Sequence, residues 1–304
     1  MKTRKTKTGT TEAARAIAAG ATVTKKALPC AGKWICALLV CWLVMFATEV
    51  SAQCGAKNTA FLPGERISYN LMFNWKFIWI KVGTAELTTD KTEYEGKPGY
   101  CFRLKSHTSK RADFFFKMRD TLTCYVTDRL EPLYFCKAAE EGKRHTRDEA
   151  WFSYSNGVSH VKQRRTWYSE VRAPQEMEYT AESGCIFDML SILGQARSWN
   201  PADFKVGDKV HFPMATGRKV EQQTLIYRGT DNVEAKDGHT YRCLVFSFVE
   251  YDKEGAEKEV ITFFVSDDDN HLPIRLDMYL SFGSAKAFFT GVEGNRYPLK
   301  SLVK

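Results

Sequence analysis

The sequence lacks the signatures by which most enzymes declare themselves. It has no serine-nucleophile elbow, no phosphate-binding glycine loop, no dinucleotide fingerprint and no His-Glu-x-x-His pair. Its histidines (His107, His145, His160, His211, His239, His271) show no paired ligand spacing, and no C-x-x-C occurs. Neither a zinc knuckle nor a thioredoxin-like site is therefore signalled, and no metal or cofactor is expected. Basic charge is missing from the place where a nucleic-acid binder needs it. The formal net charge is +8, but residues 1–52 hold eight of the 44 Lys/Arg and two of the 36 acidic residues, leaving 36 against 34, or +2, over 53–304. So balanced a body excludes a persistent nucleic-acid footprint. No apolar run reaches the roughly 20 residues that a comfortable membrane-spanning helix needs.

What is present begins with a leader. Lys25, Lys26 and Lys33 flank the apolar run Trp34 to Ala47, and Val50-Ser51-Ala52 follows. A positive flank, an apolar core and small residues make a secretory signal, so residues 1–52 are expected to be removed after Ala52. The polar stretch upstream is long for such a signal. The mature chain would start at Gln53, in the periplasm or envelope of a Gram-negative bacterium. Gln53 is too large for a lipidation site resembling a bacterial lipobox at Cys54. Cys30, Cys36 and Cys41 leave with the leader, and Cys54, Cys101, Cys124, Cys136, Cys185 and Cys243 remain. Export permits disulfides, but a body of this size can build a core without them, and most of the six read as buried free thiols.

Cys54 to Pro63 reads as a linker. From Gly64 onward, Ile67, Tyr69, Leu71 and Phe73 alternate on one face of a strand, and Trp75, Phe77 and Trp79 continue the period of two. Gly83 inside the next strand suggests a bulge or a close backbone approach. Phe114-Phe115-Phe116, between Lys110-Arg111 and Lys117, reads as a strand or edge covered on both faces; the alternative is a membrane-touching tip. Asn156-Gly157 is a type I′ hairpin signal, and Ser281 to Val292 reads as the closing hairpin. Ser183 to Asn200 forms an amphipathic helix. Asp188, Ser191, Gln195 and Ser198 make a narrow polar stripe on a rod that is otherwise apolar, so its surroundings must bury it. The strand at Tyr241 to Glu250 is covered on both sides, and the helix is the obvious cover for one of them.

After Pro201 the order of signals repeats. Gly64-Glu65-Arg66-Ile67 is matched by Gly207-Asp208-Lys209-Val210, Tyr100 by Tyr241, and Thr123 by Thr262, at offsets of 143, 141 and 139. Duplication or shared β-sheet grammar would each produce this. The fold class is thus mainly β: an antiparallel curved sheet, roll or barrel-like form. A 53–63 linker precedes a single domain at 64–304, whose similar halves (64–175 and 205–295) pack around one central helix at 183–199.

These residues resemble domain of unknown function 3108, found in bacterial envelope proteins. The resemblance rests on Gly64-Glu65 with Tyr69, on Val82-Gly83-Thr84-Ala85 with Leu87, on Phe187-Asp188-Met189-Leu190-Ser191 with Arg197, and on Asp267 with Leu272-Pro273. It implies an exported, mostly antiparallel β fold similar to lipoprotein-carrier folds, and it supplies no catalytic residues.

An aromatic-rich chain without a catalytic motif points to a non-enzymatic, monomeric envelope protein with an apolar groove for a lipid, lipoprotein or other amphiphile. The candidate ligand-binding residues are Trp75, Phe77, Trp79 and Asp188. The expected partners are that amphiphile or an envelope protein, with membrane contact but no spanning segment after cleavage. Asp188 reads first as a carboxylate near a helix N-terminus, satisfied by backbone N–H groups or Arg197; the alternative is an acid that binds or catalyses. Asp267 to His271 reads as a turn, with a calcium site as its alternative. Two other functions stay open: an envelope hydrolase with Asp188 and Glu65 in a cleft, and a structural scaffold in envelope assembly.

Overall fold

The computed structural model describes residues 54–303, apart from 76–77, 170, 281–282 and the side chain of Trp75. The leader at 1–52 and Phe77 lie outside the described residues. The described residues belong to one compact unit. Eight strands come first: β1 Glu65–Trp75, β2 Ile78–Tyr94, β3 Lys97–Thr108, β4 Met118–Thr127, β5 Pro132–Glu141, β6 Arg144–Ser155, β7 Val158–Tyr168 and β8 Gln175–Ser183. A helix, α1 (Met189–Ala196), leads to β9 Lys209–Ala215, β10 Val220–Glu234, β11 Thr240–Tyr251, β12 Glu257–Ser266, β13 Pro273–Leu280 and β14 Gly283–Glu293.

All fourteen strands form one sheet in the order β8-β7-β6-β5-β4-β3-β2-β1-β14-β13-β12-β11-β10-β9, with β14 antiparallel to β1. The chain therefore meanders outward from β1 to one edge, crosses through α1 to the far edge, and meanders back. Curvature brings the two edges close, as burying one face of so many twisted strands requires. Phe187 bridges to Met214 of β9, with Phe187 N–H donating to Pro213 O (2.9 Å) and Ala215 N–H to Phe187 O (2.8 Å). Gly217 N–H, past β9, donates to Gln163 Oε1 of β7 at 2.8 Å. The result is a nearly closed, barrel-like sheet.

Strand alternation places the core. In β4 the inward side chains are Asp120, Leu122, Cys124 and Val126, each buried between more exposed neighbours. Ile67, Leu87, Phe102 and Phe152 join them from the first meander, and Tyr241, Cys243, Ile274 and Phe289 from the second. The Asn156-Gly157 hairpin forms as expected, both residues at positive φ between Ser155 and Val158. At Gly83 the β1–β2 register slips, and a Cβ there would sit 2.1 Å from His107 O. Bulge and close approach thus coincide.

The positions matched between the meanders adopt like geometry. Gly64 and Gly207, both at positive φ, donate their N–H groups to the strand after the one they precede, at Thr89 O (2.7 Å) and Tyr227 O (2.8 Å). The β4–β5 register slips at Val126 opposite Pro132, and the β12–β13 register at Val265 opposite Pro273.

Four expectations are corrected. The helix spans Met189–Ala196 rather than 183–199: Ser183 ends β8, and the backbone of Phe187 is committed to the edge bridge, so it cannot join a helical ladder. The helix lies on β3 and β4 rather than chiefly on Tyr241–Glu250, although Ile192 reaches a cluster with Phe212, Leu225 and Phe246. Residues 54–63 are no linker. Cys54 is disulfide-bonded to Cys185, and Ala60 and Phe61 are fully buried, the Phe61 ring edge-on to Tyr100 and Phe102. Cys101, Cys124, Cys136 and Cys243 are the buried free thiols expected of most of the six. Finally, Phe114 to Phe116 are covered on neither face, being 88%, 87% and 51% exposed at a 3₁₀ turn. Three consecutive bulky side chains cannot all point inward from one turn; Phe116 lies beside Gly142 of the β5–β6 tip, and Phe114 and Phe115 stand out from it.

The helix tolerates no added bulk where it meets β3. A Cβ on Gly194 would lie 2.7 Å from the buried Phe102 ring. Replacing glycine by alanine in a helix is worth about 1 kcal/mol, while overpacking a core costs about 1–3 kcal/mol. Gly194→Ala is therefore expected to lower the midpoint of denaturant unfolding despite its better helix propensity.

Candidate functional site

Three places could carry function: the buried end of α1, the polar interior of the first meander, and the rim where Trp79 lies. At the first, Asp188 sits in extended conformation (φ −107°, ψ 174°) as the helix N-cap. Its Oδ1 accepts from Leu190 N–H (2.9 Å) and Ser191 N–H (3.0 Å), and Ser191 Oγ accepts from Asp188 N–H (3.0 Å), closing a capping box. Cys124 Sγ donates to Asp188 Oδ2 at 3.2 Å. Burial raises the pKa of Asp188, and its hydrogen bonds to Ser191, Cys124 and Leu190 pull it back. Burial, reinforced by Asp188, pushes the Cys124 thiol well up, so it stays an S–H donor and is not poised as a thiolate. Both carboxylate oxygens of this acid are thus engaged by the structure.

Arg197, at the helix C-terminus, does not reach Asp188. Its guanidinium grips Glu65, Nη1 to Oε2 at 2.6 Å and Nη2 to Oε1 at 2.9 Å, with the two side chains 3% and 1% exposed. Nη2 also donates to Asn270 O (3.0 Å), Arg197 O lies 2.6 Å from His271 Nδ1, and the Phe61 ring stands 5.4 Å from the cation. Sequence reasoning noted Glu65 and Arg197 separately and paired the arginine with the wrong acid. The usable signal was a lone charge at the end of an apolar helix, which must find a partner wherever it is buried. The Asp267–His271 segment is the turn expected. Asp268 caps it, accepting from Ser266 Oγ and Asn270 N–H at 3.0 Å and from Ser301 Oγ at 2.6 Å. No metal-ligating cluster occurs among the described residues.

Neither Asp188 nor Glu65 faces a cleft. The void beside them, lined by Leu87, Phe102, Leu190, Leu193, Gly194 and Arg197, measures about 10 Å³. That is the size of one water and far below what a small molecule needs. The inside of the barrel, where it meets the helix, is filled.

The second place is an inward row of charge across β4 to β7. Lys137 pairs with Glu141 at 3.1 Å, and Arg165 makes a two-pronged ion pair with Asp148. Asp120, buried among them, leaves Oδ1 without a hydrogen bond. Burial pushes its pKa up to about 6, Glu141 adding to the rise and Lys137 opposing it.

The third place is the rim formed by the β1–β2, β3–β4, β5–β6 and β13–β14 connections. Antiparallel pairing puts these at one end of the sheet: Gly83 pairs with Thr108, Leu280 with Gly283, and Gly142 N–H donates to Lys117 O at 2.7 Å. In β2, four successive residues, Ile78 to Lys81, are exposed before the inward–outward alternation begins. The start of β2 is therefore exposed on both of its faces, while its partner residues Met72 to Asn74 in β1 are half-buried. Trp79 is exposed here with Lys286 Nζ 5.0 Å from its ring; Trp75 closes the hairpin opposite Ile78. Phe114 to Phe116, Tyr279 and Leu280 are exposed on the same rim. The structure thus places Trp75 and Trp79 on one hairpin, where Trp79 pairs with Asn74 and Trp75 with Ile78, and leaves Asp188 inside the barrel, toward the opposite end. Sequence reasoning missed Ile78 and Ile80 as parts of this rim, and gave the exposed phenylalanines as a membrane-touching tip only in its alternative reading.

Two outcomes follow from this geometry. Breaking a buried ion pair by removing one partner costs about 3–5 kcal/mol, so Glu65→Gln and Arg197→Met should each lower stability on that scale. The double variant should lose less than the sum of the singles in a denaturant double-mutant cycle. For Asp120 the folded pKa of about 6 lies above the unfolded value of about 3.9. The folded state then holds the extra proton between those values, and its stability declines as pH rises from about 4 to about 6. Asp120→Asn should flatten that segment of the stability–pH curve.

The sequence profile of the "Protein of unknown function (DUF3108)" family matches residues 66–290. No curated protein matches the chain. Among solved structures, the beta-barrel-like protein of domain of unknown function DUF1849 from Brucella abortus is similar, with a TM-score of 0.51 and 12% identity, covering 78% of this chain and 100% of that one. At that identity the likeness is one of fold. With the family profile spanning most of the barrel, the chain belongs to the DUF3108 family of proteins of unknown function.

Proposed function

We propose that this protein is an exported, non-catalytic envelope protein that engages an amphiphile, a lipid or the lipid-bearing part of a lipoprotein, on the aromatic rim of its barrel rather than inside it. The carrying observation is the β1–β2 hairpin, which leaves Ile78, Trp79 and Ile80 exposed beside the Phe114–Phe116 turn. Soluble proteins rarely expose contiguous apolar groups on this scale unless the patch meets a partner or a membrane. The close packing of the helix on the sheet, with a void of only about 10 Å³ between them, argues against a carrier cavity there, and the acids that a hydrolase would need are committed to the helix cap and to Arg197.

Export is supported by the leader and by the Cys54–Cys185 disulfide, which belongs to an oxidising compartment. The same bond occupies the thiol that lipid attachment at Cys54 would require. Intact mass of the envelope-fraction protein should correspond to a chain beginning at Gln53, without an added lipid. Micelles of a zwitterionic detergent should shift its tryptophan emission to the blue, and Ile78→Ser with Ile80→Ser should abolish the shift while leaving the melting temperature unchanged. Absence of any micelle effect on the parent protein would remove the proposal.

A further inference from the structure

Charge at the rim is sorted, and the sorting identifies what the rim meets. The β3–β4 connection and the start of β4 carry Lys110, Arg111, Lys117 and Arg119 against one acid, Asp113. The neighbouring β5–β6 tip carries Lys143 and Arg144 after Glu140 and Glu141. Each of these acids is occupied: Asp113 binds Arg119 (2.5 Å), Glu140 binds Lys117 (2.5 Å) and Glu141 binds Lys137 (3.1 Å). Lys110, Arg111, Lys143 and Arg144 are exposed and have no ionic partner among the described residues. Four uncompensated cations thus surround three phenylalanines that point into solvent. The two tips are tied to each other by Gly142 N–H to Lys117 O and by the Phe116 ring, which lies 3.5 Å from where a Gly142 Cβ would be.

This is the composition of an interfacial anchor. Aromatic side chains sit at headgroup depth, and lysine and arginine extend to the phosphates beside them. No helix among the described residues is long and apolar enough to cross a membrane, so the contact is peripheral. Resting on the amphiphile reading above and making it specific, we propose that the β3–β4 and β5–β6 tips dock the barrel, rim first, onto the surface of a bilayer rich in anionic phospholipid. Phe114 and Phe115 enter the interface while Lys110, Arg111, Lys143 and Arg144 bind headgroup phosphates. The Ile78–Ile80 hairpin is carried to the same surface.

The test is co-sedimentation of the protein, purified as the cell processes it, with vesicles of phosphatidylcholine alone or mixed with phosphatidylglycerol. Parent protein should bind the anionic vesicles at least about tenfold more tightly than the neutral ones, since each basic residue near an anionic surface contributes on the scale of 1 kcal/mol. Replacing Lys110, Arg111, Lys143 and Arg144 together by Gln should erase that preference. Replacing Phe114 and Phe115 by Ser should weaken binding to both vesicle types, and neither set should move the melting temperature, because these side chains stand clear of the body. Equal binding of the parent to both vesicles, or an undiminished preference in the four-Gln variant, overturns headgroup recognition and leaves the amphiphile reading standing. No binding to either vesicle, with detergent micelles still engaged, overturns bilayer docking alone; no response to vesicles or micelles overturns both.

Discussion

One guanidinium ties the fold together. Arg197 ends the helix, grips Glu65 at the start of β1 and binds Asn270 O in the β12–β13 turn. Its own carbonyl lies against His271. The first strand of one meander, a turn of the other and the helix between them therefore meet at a charge that water cannot reach. Such a pair adds little net stability over apolar packing, but it leaves few alternatives, since any arrangement that separates the partners strands a buried charge. Phe61 stacks beside it and carries the segment that the Cys54–Cys185 bond fastens to the approach of the helix.

That arrangement decides where function can reside. A barrel-like sheet with a helix inside it invites comparison with ligand carriers. Here the helix packs onto β3 and β4, with Gly194 against Phe102 and Leu190 buried, and the void between them holds about one water. The acidic side chains that looked reactive in the sequence are structural: Asp188 is a helix cap and Glu65 a counter-ion. What the fold leaves unsatisfied is on the outside, at the rim opposite the helix. Exposed aromatics there cost solubility and are retained without any packing reason.

Much of the architecture was legible because strands print their burial at a period of two. Ile67-x-Tyr69-x-Leu71 reads directly as one face of a half-buried strand, and Asn156-Gly157 as a hairpin. The helix was legible but too long, because the apolar residues Ile186 and Phe187 look alike whether they continue a helix or bridge two sheet edges. Only the location of β9 tells the difference. The 54–63 segment read as a linker because its two anchors, a disulfide and a buried ring, depend on partners more than 35 residues away. The Phe114–Phe116 turn was misread for a related reason: local pattern assigns a covering neighbour to apolar residues, and none is built over Phe114 and Phe115. Asp188 as a cap was readable from spacing. Its Cys124 neighbour and the Glu65–Arg197 pair are contacts across 64 and 132 residues, which no local signal carries.

The central claim is that the interior is structural and the rim is where this protein meets its partner. Backbone hydrogen exchange, measured with and without anionic phospholipid vesicles, tests it most directly. The account predicts slower exchange at 78–82 and 109–117 on adding vesicles, with the helix at 189–196 and strand β4 unchanged. Faster exchange in that helix and in β3 and β4, with no protection at the rim, would mean that the barrel opens to take its ligand inside, and would contradict it.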